Sequence, residues 1–219
     1  MLTFNKLLKF MLKPVVMLFF VFIAGLIYFF ADKKIALFFY KLNLSQNFPL
    51  LEWITILGNG KIYLVLLPLI ALVFKYIFRN SAAYIRTWML WLMFLFPYSI
   101  TIISKHLLGR ARPIVLFDSN IFGFFGYNNT QNFHSFPSGH TTAIASITLG
   151  LAILFPRCIY WFLSICFLVM ASRVLLTCHY LSDVMVSFYL VALELGLFTY
   201  IMRRKFLNIY ELILNEKVK

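Results

Sequence analysis

The chain has 219 residues, 63% of them hydrophobic and 12% charged, with a formal net charge of +13 and a mean hydropathy of +0.89. Soluble domains carry about 25% charged residues, so this composition excludes an ordinary water-soluble protein and indicates one that crosses a bilayer several times. The positive charge does not indicate nucleic acid: many Lys and Arg flank apolar segments, where they set topology and meet anionic headgroups, and no basic run lies on a soluble module.

No linker or shift in composition divides the chain, which reads as a single integral-membrane domain over residues 1–219. The predicted fold class is all-α, a polytopic helical bundle with six transmembrane helices at about 14–31, 61–78, 87–107, 138–155, 159–178 and 182–202. The first span follows lysines but is too long for a signal peptide and lacks a small-residue cleavage site, so an uncleaved anchor is expected. Between the first two spans, Ile35, Phe38, Phe39 and Leu42 recur at helical spacing with Lys34 and Lys41 on other faces. That pattern predicts an amphipathic helix lying at the membrane surface, with a packed loop helix as the plainer alternative.

Six spans put both termini on one side. That side would carry Lys6, Lys9, Lys13, Lys75, Arg79, Arg86, Arg157, Arg203, Arg204, Lys205, Lys217 and Lys219, more than half of the 20 Lys and Arg. By the positive-inside rule the termini are expected in the cytoplasm. Lys33, Lys34, Lys41, Lys61, Lys105, Arg110, Arg112 and Arg173 then face outward, as does the stretch His134 to His140. Asn43 and Asn128 open outward-facing glycosylation triplets, which matter only in a glycosylating host. Cys158 and Cys166 would stand about 12 Å apart on one helix, beyond disulfide reach, and Cys178 adds no metal-type spacing. All three are expected to be small buried apolar residues.

Three polar clusters fall at span ends on the outer side. In KHLLGRARP, Lys105 and Arg112 are nearly two helical turns apart and share a face if the helix continues, with Pro113 discouraging a longer one. In PSGH, Ser138 suits an N-cap, Gly139 admits close approach by a ligand, and the free N–H groups of a helix start form an anion site. In SRVLLTCHYLSD, His179 and Asp183 are one helical turn apart, which would bring the carboxylate to the imidazole, with Arg173 nearby.

A lone cation at a span end is usually a snorkelling anchor, and a lone histidine is usually satisfied structure. Three such clusters converging on one side argue against that reading, because ionisable groups are costly in a membrane. Three cations, a helix start, two histidines and a carboxylate suit a tetrahedral anion and phosphoryl transfer. One histidine can attack phosphorus and another can protonate the leaving oxygen; the residues alone leave open which does which.

The spacing resembles the type 2 phosphatidic acid phosphatase superfamily, with its signature K-x6-RP, PSGH and SR-x5-H-x3-D. The matching residues are Lys105, Arg112 and Pro113, then Pro137, Ser138, Gly139 and His140, then Ser172, Arg173, His179 and Asp183. The resemblance implies that His179 is the nucleophile that forms a phosphohistidine, with Asp183 orienting it and His140 as general acid. It implies that Lys105, Arg112 and Arg173 hold the phosphate, helped by Ser138 and the Gly139 backbone. No cofactor and no metal are implied, and the sequence shows no carboxylate cluster suited to Mg²⁺. Of the remaining polar residues, His106 is expected to be interfacial structure and His134 a candidate for the pocket mouth. Arg110 falls outside the motif and is expected to contact a headgroup or anchor the chain.

The compact chain is similar to bacterial inner-membrane members of that superfamily, whose substrates are undecaprenyl diphosphate, phosphatidylglycerophosphate and lipid A phosphates. The expected function is hydrolysis of a lipid phosphomonoester or diphosphate at the outer, periplasmic face. The expected partners are the lipid and the bilayer, with no nucleic acid and no protein partner implied. A phosphotransferase using the same phosphohistidine is the nearest alternative, and a non-catalytic lipid-binding or transport protein would leave the trio idle. The apolar spans disfavour a soluble vanadate haloperoxidase. The identity of the lipid would rest on the aromatic loop FDSNIFGFFGYNNTQNF and on grooves between spans.

Overall fold

A computed structural model describes residues 9–205. Lys6, Lys217 and Lys219, three of the cations assigned above to the cytoplasmic side, lie outside the described residues. Within them the secondary structure is helical apart from an isolated bridge between Arg110 and Phe124, so the all-α expectation holds.

Helix α1 (Pro14–Leu26) passes through a π-helical turn, Ile27–Ala31, directly into α2 (Asp32–Leu42), giving one apolar stretch of 29 residues. Val15, Leu18, Phe19, Val21 and Phe22 of α1 are exposed, as expected of a helix that is apolar all round and faces lipid. The separate surface helix expected at Ile35–Leu42 is therefore the continuation of the first span. Its apolar face is covered only in part: Ala36 is buried, and Ile35 and Phe39 pack on the core, whereas Phe38 and Leu42 are exposed. Asn43, in the left-handed conformation, ends it.

Two short helices follow, α3 (Leu44–Asn47) and α4 (Leu50–Ile56), and α4 meets α5 (Gly60–Tyr76) at a 50° bend. Helix α6 (Ser81–Leu108) is started by Asn80, whose side chain accepts from Ala83 N at 2.9 Å. Then come α7 (Pro113–Ser119), α8 (Gly139–Leu154), α9 (Ile159–Leu175) and α10 (Leu181–Lys205).

Helix α8 is the centre of the bundle. It packs against α5, α6, α9 and α10, and every residue from Thr141 to Gly150 is buried. Small residues make this possible: a Cβ at Gly150 would stand 2.7 Å from Leu90 Cδ1, so α6 and α8 approach more closely than side chains would allow. Met93, Ile144, Leu149, Val169 and Leu195 form the core around it.

Four stretches are long and apolar enough to cross a membrane: Pro14–Leu42, Ser81–Leu108, Pro156–Leu175 and Leu181–Met202. The bent pair Leu50–Ile56 and Gly60–Tyr76 makes five if it is one crossing. The chain is thus an integral-membrane helical bundle. The remaining segment, expected at 138–155, is α8; its 16 residues rise about 24 Å, short of a hydrocarbon core of about 30 Å. The cysteines are free, and Cys158 departs from expectation: it lies exposed beside the turn Pro156–Cys158, whereas Cys166 is buried and Cys178 half-buried.

Candidate active site

Lys105 and Arg112 do not share a helix. Helix α6 stops at Leu108 because Gly109 turns to φ +51° and lies so close to Gly126 that a Cβ would overlap its carbonyl oxygen. Beyond it the chain runs extended, held by Phe125 N donating to Gly109 O at 3.0 Å, Ala111 N to Gly123 O at 3.0 Å and Arg112 N to Asn132 O at 2.8 Å. Arg112 then precedes Pro113, the first residue of α7. Lys105, still in the last turn of α6, donates to the His134 carbonyl at 2.8 Å. His134 is itself buried; its Nε2 lies 2.8 Å from the Asn128 carbonyl and its ring stands edge-on to His106 at 4.4 Å. These two histidines form a structural pair that seats Lys105.

Ser138 is the N-cap of α8, as expected. Its Oγ accepts from Thr141 N at 3.4 Å and from Thr141 Oγ1 at 3.0 Å. Its backbone N donates to Ser187 Oγ of α10 at 2.7 Å, and Thr142 Oγ1 lies 2.9 Å from Thr101 Oγ1 of α6. The helix start is therefore fixed on both sides. His140, in the first turn, packs against Gly58, where a Cβ would come 2.9 Å from His140 Cβ.

His179 and Asp183 are close, but not through a turn of helix. α10 begins only at Leu181, and the preceding loop is pinned by Cys178 N and His179 N, which donate to Arg173 O at 3.0 and 3.2 Å. His179 Nδ1 lies 3.6 Å from Asp183 Oδ2, beyond hydrogen-bond length. Asp183 is held by other groups: Oδ1 accepts from Arg110 Nη1 at 2.5 Å, and Oδ2 accepts from Ser135 Oγ at 2.6 Å and Tyr180 N at 3.0 Å.

Burial holds the His179 pKa well below its ordinary value, and the charges of Lys105, Arg173, Arg112 and His140 lower it further. The imidazole is therefore neutral at neutral pH. Among the described residues, Lys105, Arg112 and Arg173 form no ion pair with a carboxylate, whereas Arg110 forms two. The site thus gathers three uncompensated cations around a neutral imidazole, an arrangement suited to a multiply charged anion. Among the described residues, no three His, Cys, Asp or Glu side chains converge as a metal-binding group.

Four residues near the site escaped the motif reading. Thr55 of α4 accepts from Arg173 Nη1 at 2.7 Å, and Gly58 abuts His140. Arg110, expected at a headgroup or as an anchor, is instead 1% exposed and bonded to both Asp183 and Asp32. Asp32 had a visible signal, since it is an acid within a long apolar stretch, where ionisable groups are rare and functional.

Comparison with known proteins identifies the family. The sequence model described as the PAP2 superfamily matches residues 86–207. The lipid A 1-phosphatases of Rhizobium johnstonii and Rhizobium etli are each 38% identical to the chain over 80 residues, 36% of this chain and 33% and 34% of theirs. The chain spans about a third of the length of these curated relatives. No solved structure matches it.

Proposed function

From the premise that the chain belongs to the PAP2 superfamily, we propose that it hydrolyses the phosphomonoester or diphosphate of a membrane lipid through a phosphohistidine on His179. The carrying observation is the set of three cations, Lys105, Arg112 and Arg173, which have no carboxylate ion-pair partner among the described residues and surround a neutral imidazole. With Nδ1 turned to Asp183, Nε2 is the attacking atom. The bond from Nε2 to phosphorus forms as the bond from phosphorus to the lipid oxygen breaks, and His140, protonated once the phosphate dianion is bound beside it, gives that oxygen a proton. Water, deprotonated by His140, then attacks phosphorus and releases inorganic phosphate. The three cations, Ser138 and the Gly139 N–H hold the phosphoryl oxygens throughout.

A lipid substrate is supported by the membrane bundle and by an apolar groove of about 520 Å³ lined by Lys34, Ile35, Phe38, Phe39, Leu181 and Val174, the last next in the chain to Arg173. The names of the relatives favour a lipid A type of phosphate over undecaprenyl diphosphate or phosphatidylglycerophosphate. Six crossings, with α8 as one of them, cytoplasmic termini and a site at the outer face of a bacterial inner membrane complete the proposal.

The test is a product balance with purified protein and a panel of lipid phosphates. Free phosphate in step with dephosphorylated lipid supports hydrolysis, and a phosphorylated acceptor in its place would make the protein a phosphotransferase. No turnover on any member would return it to lipid binding. Reporter fusions at Lys219 and within residues 115–133 test the topology, and finding both on one side refutes six crossings.

A further inference from the structure

Arg110 and Asp32 lie outside the motif, yet they are built into the support of the nucleophile. Asp32 and Asp183 are 0% exposed and Arg110 1%. Arg110 gives its two terminal nitrogens to different acids, Nη1 to Asp183 Oδ1 at 2.5 Å and Nη2 to Asp32 Oδ2 at 2.7 Å. Asp32 also accepts from Ser182 N at 3.0 Å and from the Ser182 hydroxyl. The rings of Tyr28, Phe122, Phe124 and Tyr180 surround the guanidinium, the nearest centroid 4.7 Å from Cζ.

With both carboxylates ionised, one cation shared between them leaves a net negative charge beside His179. That excess matters because the imidazole gains positive charge as it bonds to phosphorus, in a pocket already holding Lys105, Arg112 and Arg173. If Arg110 faced Asp183 alone, it would neutralise the charge that has to balance the imidazolium. We propose that Asp32 is a positioning residue for the reaction: it takes up the charge of Arg110, so that Asp183 keeps its own for His179, and it anchors the fork that aims Asp183. This rests on the phosphohistidine reading above. It also makes the first membrane stretch part of the catalytic apparatus, although the three motif clusters all lie beyond residue 100.

The experiment uses full-length protein in detergent, with phosphoenzyme trapping and steady-state kinetics on p-nitrophenyl phosphate and on a lipid phosphate. Asp32→Asn is expected to slow phosphoenzyme formation about tenfold or more, the scale on which one charge acts in a buried site, with KM within about twofold. The loss is expected to be equal on both substrates, because the relay acts through His179 and not through the leaving group. Arg110→Gln leaves Asp32 and Asp183 buried without the cation they share and is expected to be nearly inactive. Adding Asp32→Asn to it removes one of the two unpaired buried charges and is expected to recover about tenfold.

An Asp32→Asn enzyme that is phosphorylated at the wild-type rate, or that loses only KM, overturns the inference. So does a double variant no better than Arg110→Gln, since Asp32 and Asp183 would then not be coupled through Arg110. If the Arg110 variants do not assemble, the split between rate and KM in Asp32→Asn decides alone. Wild type that labels on His179 while Asp32→Asn is unaffected leaves the proposed function standing. Wild type that never labels there removes both.

Discussion

Thr55, near the end of α4, accepts a 2.7 Å hydrogen bond from Nη1 of Arg173, which lies near the end of α9. The bent pair of helices that precedes α6 thus steers one of the three cations of the site. Thr55→Val keeps the shape and removes the acceptor. A hydrogen bond to a charged group is worth about 1.5–3 kcal/mol, so inhibition by inorganic phosphate is expected to weaken about tenfold. Unchanged inhibition would show that Arg173 is aimed by other contacts.

Gly58 predicts a different effect. A Cβ there would stand 2.9 Å from His140 Cβ and 3.0 Å from Val169 Cγ1, and neither neighbour is the end of a flexible chain. Gly58→Ala is expected to cost about 1–3 kcal/mol of stability through overpacking and to displace His140, the proposed general acid. The activity loss should be larger on a lipid alkyl phosphate than on p-nitrophenyl phosphate, whose leaving group needs little protonation. Equal losses on both would mean that His140 has not moved relative to the leaving oxygen.

The same pair of substrates separates the two histidines. His179→Asn is expected to abolish phosphoenzyme and turnover on both. His140→Asn removes general acid catalysis, typically worth about 10²–10⁴-fold, and is expected to lose much less on p-nitrophenyl phosphate. Identical dependence on leaving-group acidity in the two variants would refute the assigned roles.

Charge in the proposed reaction is neutralised by Lys105, Arg112 and Arg173. Activity is therefore expected to survive EDTA, and orthovanadate is expected to inhibit by adopting the five-coordinate geometry of the transition state. Loss of activity on chelation, with recovery on adding Mg²⁺, would overturn the mechanism.

For His179 the sign of the pH effect follows from its surroundings. Its pKa lies well below the ordinary value through burial and the neighbouring cations, so the neutral, nucleophilic form persists as pH falls through about 6.5. In histidine-labelled protein, NMR titration from about pH 8 to 6 is expected to show no protonation of the His179 ring. A signal absent from His179→Asn that titrates near 6.5 would contradict the packed, cation-lined environment.

The motif residues are legible in the sequence because each stands close to a helix end, where spacing along the chain constrains spacing in space. Ser138 as the cap of α8 is read directly from its place before an apolar run. Local reasoning fails where the backbone leaves the helix. Lys105 and Arg112 are separated by the break at Gly109, and only the return of residues 123–126 across it shows why that glycine must turn. His179 approaches Asp183 through a pinned loop, so the helical-turn argument reaches the right neighbours by the wrong geometry. The partnership of Arg110 with Asp32 has no local signature at all. An arginine in a loop reads as an anchor until the fold brings an acid from the first stretch against it.

Helix α8 bears on how the protein is made. It is short, it carries Thr141, Thr142, Ser146 and Thr148 among its buried residues, and it is walled by protein. Synthesis supplies those walls in two instalments: α5 and α6 precede it, and α9 and α10 follow. The contacts of Gly150 with Leu90 and of Thr142 with Thr101 are open to the nascent chain at once, whereas the seat of Ser138 on Ser187 waits for α10. His179 and Asp183 arrive with that same late segment. In the proposed reading, a half-made chain therefore holds Lys105 and Arg112 but lacks His179, Asp183 and the finished start of α8.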